Sequence, residues 1–392
     1  MPSALYMLAL AIFVMGTSEF MLAGLLPAIA TELDVPLSTA GLLTSTFAIG
    51  MVIGAPLMAA FARRWPPRIT LTTSVLIFAG SHAVGALTQS FTLLLVIRVL
   101  SAFANAGFLA VALSTATALV PSNLKGRALS ILLSGTTLAT IAGVPLGALL
   151  GTSAGWRATF WAIVVLSAIA AVGIVSGINP GHVMTGTVED DELSPRLGTE
   201  LKQLAAPQVA LTMMVGALIN GGTFAVLTYL APIVTESAGL SEVWVSAALV
   251  MFGLGSFLGV TMAGRLSDRR PGLVLALGMP SLLAGWILLI LFASEHGLLF
   301  MLILVQGVLT FGVGSTLIAR VLHAASAAPT MGGSYATAAL NLGAAAGPIL
   351  GGLGLTASSG VLAPVGVSAM LTMVALIVTL ASWRFLVRPS GR

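Results

Sequence analysis

LYMLALAIFVMGTSEFMLAGLLPAIA, residues 5–30, is an apolar run with a single carboxylate, Glu19, near its middle. At about 1.5 Å per residue, some 20 apolar residues cross the roughly 30 Å hydrocarbon core of a bilayer, and Glu19 falls about halfway along this segment. A carboxylate at that depth is costly. Intramembrane acids usually face a water-filled cavity or a partner, and they mark ion pathways and proton relays. No other acid falls in any predicted span.

The rest of the chain repeats this apolar character. Charged residues make up 7% and AVILMFWYC 58%, against the roughly 25% charged residues of a soluble domain, so a water-facing surface cannot be built. The chain reads as a polytopic membrane protein. Zero cysteines exclude disulfides, thiolate-bound zinc and thiol nucleophiles, and the four histidines (His82, His182, His296, His323) lack metal-ligand spacing, so neither a metal site nor a cofactor is expected. The net charge of +4 comes from short clusters between apolar runs, which membrane topology explains better than nucleic-acid binding, so no nucleic-acid partner is expected. Ala28-Ile29-Ala30 looks like a signal-peptide cleavage site. However, no Lys or Arg precedes the run, which is also too long, and it reads as a permanent first helix.

Apolar runs fall near 5–30, 39–62, 69–88, 91–118, 127–150 and 157–178, then near 208–234, 243–264, 272–293, 297–320, 332–355 and 361–386. None alternates as a barrel strand would. These twelve spans divide the chain into an N-terminal six-helix bundle (1–178), a linker (179–207) and a C-terminal six-helix bundle (208–392). The linker holds the acidic run Glu189 to Glu192 and ends in a short amphipathic stretch with Leu197, Leu201 and Leu204. Placing the N-terminus in the cytoplasm puts 14 of the 16 Lys and Arg residues there, with Arg157 outside and Arg98 embedded. Both termini of this multi-pass membrane protein are then expected in the cytoplasm.

The two halves resemble one another. A shift of 205 positions superposes Gly16 on Gly221, Pro27 on Pro232, Phe47 on Phe252, Gly50 on Gly255, Gly54 on Gly259, Arg64 on Arg269 and Pro66 on Pro271. Later the shift drifts, pairing Arg98 with Gln306 and Pro145 with Pro348. Two halves of the same topology imply a pseudo-twofold axis along the membrane normal, as in transporters that rock about a midplane site.

Gly50 and Gly54, like Gly255 and Gly259, have the small-xxx-small spacing of closely packed helices. The fifth span contains GTTLATIAGVPLGALLG, residues 135–151. There Pro145 deprives the Ile141 carbonyl of its amide partner, while Gly135, Gly143, Gly147 and Gly151 remove bulk. NLGAAAGPILGG, residues 341–352, does the same with Gly343, Gly347, Pro348 and Gly351. A structural kink and a working hinge both fit these residues. Arg98 lies about 10 Å inside the outer end of its helix, where it can either snorkel outward or serve the interior. Asn105, Asn220, Tyr229, Gln306, Tyr335 and Asn341 are polar handles in apolar helices, each able to touch substrate in a cavity or to bond a neighbouring helix. His82 is a weaker relay candidate.

These motifs are similar to those of the major facilitator superfamily, in its twelve-helix drug-proton antiporter branch. The run around Pro145 resembles that branch's antiporter motif. Gly264, Arg265, Leu266, Ser267, Asp268, Arg269 and Arg270 match the superfamily's gating loop signature between helices 8 and 9. The first-half copy, AAFARRWPPR, departs from it, with Ala59 in place of Gly and Arg63 in place of the acid before Arg64. Arg98 with Asn105 and Gly107 resembles the fourth-helix motif in which a buried Arg assists proton movement. MGTSEFMLAGLLP and MGGSYATAALN are similar to stretches of bacterial chloramphenicol exporters.

The resemblance implies an all-α integral membrane fold and proton-coupled efflux, with Glu19 and Arg98 in coupling. It implies no enzyme activity, a small-molecule drug and protons as partners besides the lipid bilayer, and a monomer. A cavity mostly apolar with few polar handles suits an uncharged amphipathic antibiotic, chloramphenicol by the resemblance, better than a sugar. An exporter of sugars or amino-acid derivatives is the alternative. An ATP-driven pump is disfavoured because no GxxxxGK[ST] phosphate loop occurs.

Overall fold

The computed structural model describes residues 1–61, 65–178, 204, 206–267, 270–325, 332–357 and 360–383, with no strand among them. Twelve helices in the described residues are long and apolar enough to cross a membrane. In the first half these are α1 (Ser3–Phe20), α2 (Leu37–Phe61), α3 (Pro67–Leu87), α4 (Phe91–Ala118), α5 (Ser122–Ala154) and α6 (Trp156–Gly177). In the second they are α7 (Pro207–Thr228), α8 (Val243–Ser267), α9 (Pro271–Phe292), α10 (His296–Ala324), α11 (Gly332–Ala357) and α12 (Ala363–Ala381). Each predicted run coincides with one helix to within a few residues. The first is broken, however: α1 stops at Phe20 and resumes as Leu22–Glu32, with the Gly24 amide turned to the Met21 carbonyl at 3.1 Å. Similarly, α7 breaks at Tyr229 before Leu230–Pro232, because Pro232 supplies no amide to the Thr228 carbonyl.

The packing repeats as the sequence does. In the first half α2 lies on α4, α3 on α4 and α6, and α1 on α5 and α6; in the second α8 lies on α10, α9 on α10 and α12, and α7 on α11 and α12. In lipid there is no hydrophobic drive between helices, so close van der Waals approach must hold them. Small residues supply it. Gly50 and Gly54 face Ala102 and Ala106 of α4, while Gly255 and Gly259 rest on the Leu304 and Val308 backbone of α10. The outward faces carry Ile53, Leu87, Val172, Leu277, Leu291 and Leu380 exposed, as a lipid-facing surface requires.

The halves meet through α2 with α11, α5 with α8, and the continuation of α1 with that of α7. These contacts reach the end of the bundle opposite the start of α1 and the end of α12. There Ala23, Val144 and Ala148 of the first half share an apolar cluster with Val226, Leu227 and Leu249 of the second. Toward the terminal end lies a cavity of about 690 Å³, lined by Met51, Ala55, Ala106, Ala110, Ser114 and Thr337 and reaching Trp65 and Gly333. A second cavity, of about 650 Å³, is walled by α2, α7 and α11 and shares Ser334 with the first. Both fall in the size range of small-molecule sites.

Candidate functional site

Arg98 is the centre of the site. It is 1% exposed on α4, and its side chain turns inward rather than snorkelling. Its Nε donates to the Leu43 carbonyl of α2 at 3.3 Å, and its Nη1 donates to the carbonyl of Ser18 at 3.3 Å and to Ser18 Oγ at 3.1 Å. The guanidinium also stacks 4.4 Å from the Phe47 ring centroid. Buried charge survives only when so held, and here one nitrogen, Nη2, has no hydrogen-bond partner.

Glu19 follows Ser18 on α1, just before the break at Met21. It is partly exposed where Ser18 is fully buried, and it lies within electrostatic reach of Arg98 without forming a direct ion pair. On the other side of Ser18 lies His82 of α3, its Nε2 2.6 Å from Ser18 Oγ and its Nδ1 2.8 Å from the Phe78 carbonyl. Four side chains from α1, α3 and α4 thus form one cluster. The second half has no such group: the shift of 205 carries Ser18 and Glu19 to Thr223 and Phe224, and Arg98 pairs with Gln306. Among the described residues, the cluster of a buried cation with an acid and a histidine occurs in the first half. Phe224 instead packs its ring 5.6 Å from that of Phe20, across the junction of the halves.

The glycine-rich run of α5 is the seat of α1. A Cβ at Gly135 would collide with the Ala9 carbonyl, one at Gly143 with Thr17, and one at Gly151 with Leu25, so these glycines form a groove along the helix that carries Glu19. Gly147 sits over Met21 at the break. Pro145 produces a local widening rather than a simple bend: Ala139–Gly143 form a π turn, with the Val144 amide bonded to the Ala139 carbonyl. A Cβ at Gly253 of α8 would strike the Thr140 carbonyl, so the second half rests on that turn. In the second half Gly343 and Gly347 rest on the Ala217 and Gly221 carbonyls of α7, while Pro348 lies within unbroken α11.

The six polar handles occupy different places. Tyr335 lines the 650 Å³ cavity. Asn105 sits directly behind the other one, its amide on the sulfur of Met51 at 3.8 Å, and Met51 lines that cavity. Asn220 donates to the Leu340 carbonyl at 2.7 Å, joining α7 to α11, and Asn341 donates to the Thr337 carbonyl of its own helix at 2.9 Å. Gln306 donates to the Leu282 carbonyl at 3.2 Å. Tyr229 is wholly buried at the end opposite the termini, between the two halves. Of the gating-loop residues, Gly264 is exposed near the end of α8, while Arg63, Arg64, Asp268 and Arg269 lie outside the described residues, as does most of the linker. Sequence reasoning missed Ser18, whose role is visible only once α3 and α4 converge on it.

Comparison with known proteins agrees with this architecture. The profile of the Major Facilitator Superfamily matches residues 8–339. The chain is 56% identical over 378 residues to a "Chloramphenicol resistance protein" of Streptomyces lividans, covering 96% of this chain and 95% of that one. It is 32% identical over 355 residues to the "Inner membrane transport protein YdhP" of Escherichia coli (strain K12), covering 90% and 89%. In fold it is similar, with a TM-score of 0.71 at 17% identity over 98% of this chain and 95% of the other, to the crystal structure of a bacterial homolog of the human lysosomal transporter Spinster. Its twelve spanning helices, doubled packing and matching profile together make this chain a multi-pass membrane transporter that belongs to the major facilitator superfamily.

Proposed function

We propose that this transporter exports a small, largely uncharged amphipathic antibiotic, chloramphenicol or a close analogue, in exchange for protons. The observation that carries the reading is the buried Arg98 beside Glu19: a fixed cation next to an acid at membrane depth is the arrangement that marks a proton pathway. The relative from Streptomyces lividans supports the choice of drug. With both termini in the cytoplasm, the cavities face inward and the closed junction around Tyr229 faces outward, so the drug is taken from the cytoplasmic side or inner leaflet. Rocking of the two bundles about their junction then exposes it outside.

Glu19 is the proton carrier in this scheme. Drug arriving in the inward cavity favours loss of its proton, and reprotonation from outside favours drug release. Arg98 supplies the fixed charge against which the carboxyl switches, and the α5 groove lets α1 slide or tilt as the halves rock. Tyr335 is the polar handle that lines a cavity, while Asn105 holds Met51 in the wall of the other one. The apolar wall of the 650 Å³ cavity disfavours the alternative cargo, a sugar, whose hydroxyls would go unpaired there. The chain acts as a single copy.

The reading is tested by growth of an expressing strain on an antibiotic panel with and without an uncoupler. Chloramphenicol resistance abolished by the uncoupler is expected. Resistance that persists with the proton gradient collapsed would overturn proton coupling, and sensitivity to chloramphenicol with tolerance of other compounds would overturn the drug.

A further inference from the structure

The coupling scheme makes no use of His82, a titratable side chain 1% exposed among apolar helices. Its hydrogen bonds fix its form. The Phe78 carbonyl can only accept, so Nδ1 carries the proton; Nε2 of the neutral ring is then a bare acceptor, and the Ser18 hydroxyl at 2.6 Å donates to it. That leaves the Ser18 oxygen with its lone pairs toward Arg98, whose Nη1 donates to it at 3.1 Å. From Arg98 Nη1 through the Ser18 hydroxyl and the neutral His82 ring to the Phe78 carbonyl, each link has one donor and one acceptor, and the direction is set at both ends, because Arg98 can only donate and the carbonyl can only accept.

We infer that His82 and Ser18 are positioning residues for proton coupling. By accepting the serine proton, His82 keeps the Ser18 oxygen as an acceptor, and that oxygen anchors the Arg98 guanidinium at a set distance from Glu19. Ser18 adjoins Glu19 in the chain, so one residue ties the fixed charge to the switching one. The groups facing Arg98 are Glu19 from α1 and His82 from α3, while α2 offers only the Leu43 carbonyl and the Phe47 ring. His82 itself is flanked by Phe78 at 4.4 Å and Phe160 of α6 at 5.5 Å between ring centroids. Glu32 and Arg157 form their own pair at the bundle's far end. The role is that of a hydrogen-bond acceptor and needs no second proton on the imidazole.

The inference rests on the coupling reading, and one series of purified full-length variants separates the two. Chloramphenicol binding is measured against pH for the parent protein, Glu19→Gln, Ser18→Ala, His82→Phe and His82→Gln. Phenylalanine keeps the aromatic packing and removes the acceptor; glutamine places an oxygen near the position of Nε2 and cannot titrate. Expected is a displaced midpoint in Ser18→Ala and His82→Phe, by the same amount and by about one pH unit, a tenfold change in proton affinity, with no further change when Ser18→Ala and His82→Phe are combined. His82→Gln should keep the parent midpoint. Equal displacement in His82→Gln and His82→Phe would show that the ring acts by titrating and would overturn the inference. So would lower thermal stability in both variants with an unmoved midpoint. If Glu19→Gln retains the parent pH dependence, the coupling reading itself fails.

Discussion

The phenol of Tyr229, at the end of α7 in one half, lies 3.3 Å from the carbonyl of Ser38, at the start of α2 in the other. The same hydroxyl is 2.9 Å from the Pro348 carbonyl of α11, and its single proton is shared between the two acceptors. Gly41 and Gly352 crowd the oxygen so closely that a side chain at either would displace it. Tyr229 therefore bolts the junction on the side away from the cavities.

Tyr229→Phe keeps the ring and removes the bolt. A net contribution of about 0.5–1.5 kcal/mol for one hydrogen bond corresponds to a shift of roughly two- to tenfold in the ratio of open to closed junctions. Spin labels on cysteines at Ser153 and Ser241, both exposed beside the junction in a chain without native cysteine, should report a longer-distance population in the variant. An unchanged distance distribution would mean that apolar packing alone holds the junction.

The grooves of α5 make a second expectation. Gly143→Val must force Thr17 and Phe13 aside, an overpacking that costs roughly 1–3 kcal/mol in a close-packed interior. Thermal unfolding in detergent should fall and transport should be lost. Gly80→Val, on the exposed face of α3 with nothing within 4 Å, is the matched control and should transport as the parent does. If both glycines tolerate substitution equally, α1 is not seated in α5 as the packing implies.

How much of this was legible beforehand follows from the physics of each residue. The twelve spans were readable because lipid imposes long apolar runs, and Glu19 stood out because nothing in such a run explains an acid. The doubled packing was readable through a shared offset in residue numbers. The fate of Arg98 was not: from 10 Å inside a helix end its long side chain reaches either way, and the choice depends on the Ser18 and Leu43 acceptors that only α1 and α2 bring to it. Tyr229 reads, like five other polar handles, as able to meet substrate or to bond a neighbouring helix, and which of the two a tyrosine does depends on where two bundles touch. Pro145 announced irregular helix, while the form it took, a π turn under α8, depended on the partner across the junction.

Orientation has its own test. Single cysteines at Ser122, in the turn opening α5, and at Ser267, ending α8, lie at the end of the bundle that carries the termini. Both should be modified by a membrane-permeant thiol reagent and protected from an impermeant one in whole cells. Modification of either by the impermeant reagent would place the cavities outside and reverse the direction of uptake argued above.

The last expectation concerns Glu19 itself. Exchange of one neutral drug for one proton moves one charge inward per cycle, which draws about 2.3 kcal/mol per 100 mV, roughly fiftyfold in accumulation ratio. A membrane potential alone should therefore drive export into or out of proteoliposomes, even with no pH difference. Glu19→Gln keeps the shape beside Ser18 and Arg98 but cannot release a proton. Binding should survive without its pH dependence, downhill exchange of labelled drug for unlabelled should continue, and uphill transport should vanish. A role as a static hydrogen bond to drug or helix predicts the reverse, with weakened binding or folding while accumulation still follows the potential. Drug flux under an imposed potassium diffusion potential separates the two outcomes, and a folded Glu19→Gln that still pumps uphill would remove Glu19 from the coupling mechanism.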